Sequence, residues 1–363
     1  MTEASPKELW AAVKATRGDG GCQASYPPSL FLDLDRANNY FASICYDQYY
    51  SKDSVTYFLK SIINEDCKIS LAVYEVERLL YRIKPSSPGL DNIPRWFYHN
   101  CSYEIAHVVA HILNLSFSCG TVPLQWRQAV VTPVPKVAKP STHSEYRPIS
   151  VTPLLSRVAE KLVVSRWILP AIPARSIVDQ FAFRPTGSTV CALTLLLHHV
   201  TATLERCSYV RCLMIDFSKA FDRVDHPTLL SKLNKLDLPP HAINWIISYL
   251  SGRSQILKCE GQLSASAEIN TSIVQGSGIG PMLFVVMESD LNTMSSVNIL
   301  LKYADDTSLL VPSDSDTDLV DEFDNIKRWA AQNHMVINLQ KTKELVFRRP
   351  NPRLVVLPVP LTR

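Results

Sequence analysis

Asp216, Asp305 and Asp306 stand where phosphoryl-transfer chemistry would place its carboxylates. Asp216 closes the apolar run Val210 to Phe217. A carboxylate at the end of a buried strand is costly to desolvate unless it has a partner or a task. Asp305 and Asp306 lie between two short apolar runs, Asn298 to Ala304 and Thr307 to Val311, a pattern that predicts a hairpin with two carboxylates at its turn. Two-metal displacement at phosphorus needs carboxylates from separate elements, converging on ions about 4 Å apart. One ion activates the attacking hydroxyl and the other screens the leaving group. Magnesium suits such donors, because it prefers hard oxygens and keeps part of its shell for substrate phosphates. Aspartate also favours turns and strand ends, so either element alone has an ordinary structural explanation.

The elements that must position these residues can be read from periodicity. Helices are expected from Leu71 to Leu80, stopping before Pro85, and from about Tyr103 to Phe117, ending at Gly120. Further helices are expected over Leu154–Trp167, Thr189–Leu204, Pro227–Leu236, His241–Leu250, Pro281–Met294 and Asp318–His334. The helix from Pro281 is entered from the glycine-rich Gly276-Ser-Gly-Ile-Gly. Strands are expected at Ala129–Val134, Tyr146–Val151, Val210–Phe217, the two flanks of Asp305-Asp306, and Leu345–Phe347. The first sixty or so residues read as irregular, with Gly18, Gly20, Gly21, Pro27 and Pro28 marking loops. No internal repeat or low-complexity tract is present.

Composition bounds the class. With 363 residues, 46% hydrophobic and 20% charged, the chain can bury a sizeable core and is not disordered throughout. No stretch approaches twenty consecutive apolar residues, and the N-terminus lacks an apolar signal region, so an intracellular protein without a membrane span is expected, in nucleus or cytoplasm and not secreted. The nine cysteines form no CxxC pair or zinc-ligand spacing, which predicts reduced thiols. The net charge of +3 is modest, but its distribution is not uniform. Arg127 to Arg166 is basic, as is the tail from Lys341, whereas Asp305 to Asp324 is acidic. Two basic lobes around an acidic centre suit a polyanion held over a metal site.

The flanks of the aspartates resemble a known family. Ile215-Asp-Phe-Ser-Lys-Ala-Phe-Asp222 followed by Tyr303-Ala-Asp-Asp306 is similar to motifs A and C of reverse transcriptases, most closely those of non-LTR, jockey-like retrotransposons. In the same order stand Tyr146-Arg-Pro-Ile-Ser150, Asp179-Gln-Phe-Ala-Phe-Arg-Pro185, Gln275-Gly-Ser-Gly-Ile-Gly-Pro281 and Asn338-Leu-Gln-Lys-Thr342. Trp126 with Val130-Val-Thr-Pro-Val-Pro-Lys136 resembles the entry to the fingers. Two positions depart from the family pattern: Val274 where proline is usual, and Ala182 where glycine is usual.

The resemblance implies an α+β fold, a right-hand polymerase with fingers and a palm whose antiparallel sheet is backed by helices. It implies residues 1–64 as a linker-like segment, 65–348 as the reverse transcriptase domain, and 349–363 as a basic tail truncating the thumb. Relatives usually carry an upstream endonuclease, whose signatures are absent here, so a retroelement fragment is expected. The implied activity is extension of a DNA 3′-hydroxyl by deoxynucleoside triphosphates on an RNA template, with two Mg2+ ions, Mn2+ being an alternative. Asp216, Asp305 and Asp306 would be catalytic and hold metal, with the Phe217 main-chain carbonyl as a further ligand. Arg147, with Lys136 or Lys139, would meet the triphosphate. Gln275 and Gly276 would contact the nascent base pair, and Lys341 would protonate the leaving pyrophosphate. Phe221 would be the gate against a ribose 2′-hydroxyl, with core packing as its rival role; Asp222 would be structural and Arg184 would support template or fingers. Two other readings stay open: a remnant that binds RNA without copying it, and an RNA-templated RNA polymerase, which fits Phe221 poorly.

Overall fold

The computed structural model describes residues 33–62, 70–184, 186–349 and 360. Two sheets carry the architecture. The first has the order β2 (Tyr146–Val151), β1 (Gln128–Pro135), β4 (Arg253–Cys259), β5 (Gln262–Leu263), with β6 (Ala267–Ile269) also paired to β4. Strand β1 runs antiparallel to β2 and parallel to β4. The second sheet has the order β7 (Ile299–Tyr303), β8 (Asp306–Pro312), β3 (Tyr209–Ile215), β9 (Lys343–Arg348), and every pairing in it is antiparallel. This mixed α+β arrangement is the expected fold class, with the second sheet as the palm.

Helices hold the sheets in place. Helix α1 (Leu34–Ile44) starts at Asp33, whose carboxylate accepts from the Arg36 N–H. Its buried Ala37 and Phe41 pack on Val131, Tyr146 and Leu257 of the first sheet. Residues 34–44 are therefore an integral layer of the fingers, contrary to the reading of this stretch as irregular. One sequence feature hid it: polar Asn38-Asn39 lowers local helix propensity and interrupts the apolar face that Leu34, Ala37, Tyr40, Phe41 and Ile44 form. The part of that reading that falls on residues 1–32 lies outside the described residues.

Helices α2 (Val73–Tyr81), α3 (Ser102–Ser118) and α4 (Leu154–Val163) join one extended core with α6 (His226–Leu233), α7 (Pro240–Leu250) and α8 (Gly280–Glu288), while α5 (Thr189–Leu204) covers the outer part of the palm sheet. Helix α8 is buried on all sides, as its uninterrupted Pro-Met-Leu-Phe-Val-Val-Met demands. It stops at Glu288, six residues short of the expected Met294. The reason is chemical: the Glu288 and Leu291 carbonyls accept from the buried Lys302 ammonium at 3.0 and 2.8 Å, and the Asp290 carboxylate is bonded by Lys232 and by Trp329 at 2.9 Å. Helix α9 (Leu319–Gln332) is capped by Asp318, which accepts from the Val320 and Asp321 N–H groups.

Strands β4 to β6 carried no expectation. They return the chain from the palm to the fingers, so the fingers sheet is built from segments on both sides of Asp216. Among the described cysteines, Cys45, Cys207, Cys212 and Cys259 are buried free thiols, whereas Cys119 and Cys191 are exposed. Among the described residues, no helix is long and apolar enough to cross a membrane.

Candidate active site

Strand β3 ends at Ile215, and Asp216 follows in a half-buried position at the rim of a cleft of ≈ 860 Å³. The β7–β8 turn brings Asp305 and Asp306 to the same cleft, because β8 lies directly beside β3 with Thr307 opposite Ile215. Carboxylates ninety residues apart in sequence are thus joined by one strand pairing. Ala304, just before the pair, has φ +55°. Burial pushes the Asp305 carboxyl above its usual range, and the charges of Asp306 and Asp216 push it the same way. Asp306 is raised by burial and then by Asp216.

Asp216 Oδ2 is buried without a hydrogen-bond partner. Lys341 Nζ stands 3.5 Å from it, close enough for ion pairing but too long for a strong hydrogen bond. Lys341 is held there by main-chain bonds: the Asn338 N–H donates to the Asp216 carbonyl at 2.7 Å, and the Ser218 N–H to the Val336 carbonyl at 2.7 Å. The Asn338-Leu-Gln-Lys-Thr342 segment is thereby laid against the end of β3. Phe217 lines the cleft, while its ring is buried edge-on to Trp329 at 6.1 Å, so the main chain is what it can offer the cleft.

The remaining expected residues converge here too. Arg147 on β2 and Lys136 just beyond β1 both line the cleft from the fingers side. Partial burial lowers the Lys136 ammonium pKa, and its cationic neighbours Lys219 and Arg147 lower it further. Of the two lysines left open by sequence, Lys136 is the one that lines this cleft. Gln275 Nε2 donates to Asp222 Oδ1 at 2.7 Å, and the Gln275 carbonyl accepts from the Ser150 N–H at 2.9 Å. Gly276 has φ +103°, and a Cβ there would meet the Ser150 carbonyl oxygen at 2.5 Å, so the position requires glycine. The loop is also anchored from behind, where buried Glu160 accepts from the Gly278 and Ile279 N–H groups.

Phe221 has both environments anticipated for it. Its half-buried ring lines the cleft and stacks on Phe284 of α8, with centroids 4.4 Å apart and an 18° interplanar angle. Asp222 is buried and its carboxylate fixes Gln275; burial raises its carboxyl. Arg184 donates to the Ile177 and Gln180 carbonyls at 2.7 and 3.1 Å and so organises its own loop. Lys219, Phe183 and Asn338 also line the cleft without having been singled out. The first two adopt positive φ (+52° and +61°), which no local composition signalled.

Among the described residues, no three His, Cys, Asp or Glu groups lie close enough to hold an ion between them. The arrangement is an open one. Hard oxygen donors, a buried Asp216 oxygen without a hydrogen-bond partner, and carboxyls raised by burial and by one another's charge nonetheless fit a divalent cation that takes further ligands from phosphates.

An acidic hairpin and an acidic strand end in an antiparallel sheet, facing a glycine loop and a cationic fingers hairpin, mark this chain as having the palm and fingers of a nucleic-acid polymerase. Sequence comparison narrows the class. The model of the family "Reverse transcriptase (RNA-dependent DNA polymerase)" matches residues 135–353, and the chain belongs to that family. It is 28% identical over 292 residues to the RNA-directed DNA polymerase from mobile element jockey of Drosophila melanogaster, covering 77% of this chain and 32% of that protein. It is 29% identical over 303 residues to the probable RNA-directed DNA polymerase from transposon BS of the same species, covering 79% and 33%. Among solved structures, apo telomerase from Candida tropicalis truncated from its C-terminal domain aligns with TM-score 0.46 and 12% identity, over 69% of this chain and 56% of that one. The chain spans about a third of the length of these curated relatives.

Proposed function

We propose that this chain is an RNA-directed DNA polymerase of a jockey-like, non-LTR retroelement, adding deoxynucleotides to a DNA 3′-hydroxyl paired to an RNA template. The observation that carries this reading is the convergence of Asp216, Asp305 and Asp306 with Arg147, Lys136 and Lys341 in one cleft. Asp216 and Asp305 would hold two Mg2+ ions, or Mn2+, with Asp306 and the Phe217 carbonyl as further ligands. Bound there, the ions supply Lewis acidity and charge neutralisation at phosphorus. Arg147 presents a planar, multidentate cation to the triphosphate, and Lys136 adds a point charge beside it. Lys341 stands beside Asp216 with an exposed ammonium, placed to give a proton to the departing pyrophosphate. Gln275, held by Asp222, and Gly276, with no side chain, form a flat surface against which a new base pair can rest. Phe221 stands on the same side as the gate against a 2′-hydroxyl. An intracellular site of action, in nucleus or cytoplasm, goes with such templates.

The test is primer extension by the purified chain on a defined RNA template, with each nucleotide type and with Mg2+ present or chelated. Magnesium-dependent incorporation of deoxynucleotides is the expected result. Equal use of ribonucleotides would point to an RNA polymerase instead. RNA binding without extension would leave the chain as a remnant that no longer copies.

A further inference from the structure

The turn that carries Asp305 and Asp306 does not support itself. Ala304 occupies the left-handed region at φ +55°, where an L side chain crowds the following carbonyl and the surroundings must hold it. Its N–H donates to Gln180 Oε1 at 3.0 Å, and its carbonyl faces Gln180 Nε2 at 3.4 Å. A single side-chain amide thus grips both main-chain polar groups of the residue before the aspartate pair. The same Oε1 accepts from the Ala182 N–H at 2.9 Å, and Nε2 lies 3.4 Å from Glu288 Oε2. Gln180 is 2% exposed, so water does not compete for these bonds.

The segment bearing Gln180 is itself tied to strand β7. The Phe181 N–H donates to the Lys302 carbonyl at 2.8 Å, and the Lys302 N–H to the Asp179 carbonyl at 2.7 Å. The buried Lys302 ammonium pairs with Asp179 Oδ2 at 2.9 Å. Residues 179–181 therefore extend the palm sheet at the β7 edge, next to the acidic turn.

We propose that Gln180 is the positioning residue of the acidic hairpin: its amide holds Ala304 in the left-handed region and so fixes the direction in which Asp305 and Asp306 enter the cleft. This rests on the polymerase reading above and extends it to a side chain that is not among the residues lining the cleft. Glutamine fits because one head group carries donor and acceptor at the needed reach. Methionine would keep the volume and lose both bonds. Glutamate would keep the acceptor for the Ala304 and Ala182 N–H groups, lose the donor, and set a second carboxyl against Glu288.

The experiment compares wild type, Gln180→Met and Gln180→Glu. Steady-state extension on an RNA template is measured across Mg2+ concentrations, with thermal melts, calorimetric Mn2+ titration and amide exchange at Ala304. In Gln180→Met, kcat falls roughly 10- to 100-fold, as small misplacements of reacting groups do. KM for the nucleotide and affinity for primer–template stay close to wild type, the Mg2+ midpoint rises, Mn2+ binds more weakly, and Ala304 loses exchange protection. Gln180→Glu retains part of the activity and part of the protection. Wild-type kcat and Mg2+ midpoint in Gln180→Met would overturn the proposal. So would a joint collapse of kcat, KM, affinity and melting temperature in both variants. If wild type itself fails to extend primers, the polymerase reading falls alone; unchanged Mn2+ affinity and Ala304 protection in Gln180→Met then overturn the positioning role.

Discussion

Replacing Phe221 by alanine separates nucleotide selection from packing, because its ring is the proposed gate and also stacks on Phe284. Removing a fully buried phenylalanine costs about 3–5 kcal/mol. Phe221 is half-buried, which leaves roughly 2 kcal/mol, and the stack on Phe284 at 4.4 Å adds about 0.5–1.5 kcal/mol. A loss of roughly 2–4 kcal/mol is tolerable for a domain stable by about 5–15 kcal/mol. At about 2–4 °C per kcal/mol, the melting temperature falls by roughly 5–15 °C. Opening the cleft removes a clash with a ribose 2′-hydroxyl worth ~2–3 kcal/mol, and each 1.36 kcal/mol is about tenfold in rate, so deoxynucleotide preference falls by roughly one to two orders of magnitude. The assay is single-nucleotide incorporation with dNTP and rNTP, alongside a thermal melt. Phe284→Ala serves as the control, since it removes the same stack but leaves the Phe221 ring in place. It should lower the melting temperature with little change in selectivity. An unchanged dNTP to rNTP ratio in a destabilised Phe221→Ala protein would refute the gate and leave only the core role.

Asp216→Asn and Asp305→Asn should each abolish magnesium-dependent extension, by at least roughly a thousandfold, while the protein stays folded, because the amide keeps the shape and loses the charge that would hold the ions. Near wild-type turnover in either variant would contradict the assignment. Nucleic-acid affinity should fall steeply with salt, and Arg147→Glu or Lys161→Glu, both exposed, should each flatten the log–log slope by about 0.7–0.9 for every phosphate the variant no longer neutralises; a salt-independent affinity would sink the cationic-cleft reading. Arg127, Arg157 and Arg166 are poorer targets, since they already bond Ser248, Ser87 and Glu75. A pH effect should come from His226, which is fully buried with Nε2 on the Ser272 carbonyl, and burial lowers its pKa. The unfolded chain then binds the proton first, so its contribution is fully present above about pH 6.5 and is lost as pH falls, by up to ~1.4 kcal/mol per unit. Urea titrations between pH 5 and 7.5 should show a shallower acid-side loss in His226→Gln than in wild type, and an identical pH slope would exclude this histidine as the cause.

The candidate site was legible because its chemistry is written in short contiguous motifs whose residue types have few other uses together. Asp216 to Asp222, Tyr303 to Asp306 and Gln275 to Pro281 each occupy one turn or strand end, so local sequence and local structure coincide. What escaped was set by distant pairing. Strand β4 joins β1 with Gln128 opposite Ser254, a register that nothing within either segment specifies. Lys302 reads as an interruption of an apolar strand, and only its partners Asp179, Glu288 and Leu291, from two other segments, make its burial tolerable. Asp222 and Gln180 look like ordinary turn and loop residues until their acceptors and donors are seen.

Long-range register also explains why Lys341 can act on a carboxylate 125 positions earlier in the chain. Strand β9 pairs with β3 so that Lys343 stands opposite Met214, and the chain entering β9 must then pass beside Asp216. Bonds between main-chain atoms of Ser218 and Val336, and of Asp216 and Asn338, continue that pairing beyond the strands and do not depend on which side chains are present. A slip of one residue in β9 would send every side chain of the strand to the opposite face and carry Lys341 away from the cleft. The apolar residue that resists such a slip is Phe347, opposite Val210, while the Glu344 carboxylate, paired with Arg211 at 2.7 Å, holds the other face. Phe347 packs into the satellite core with Val210, Cys212 and Leu310, so packing at one end of the palm sheet sets the position of a cation at the other.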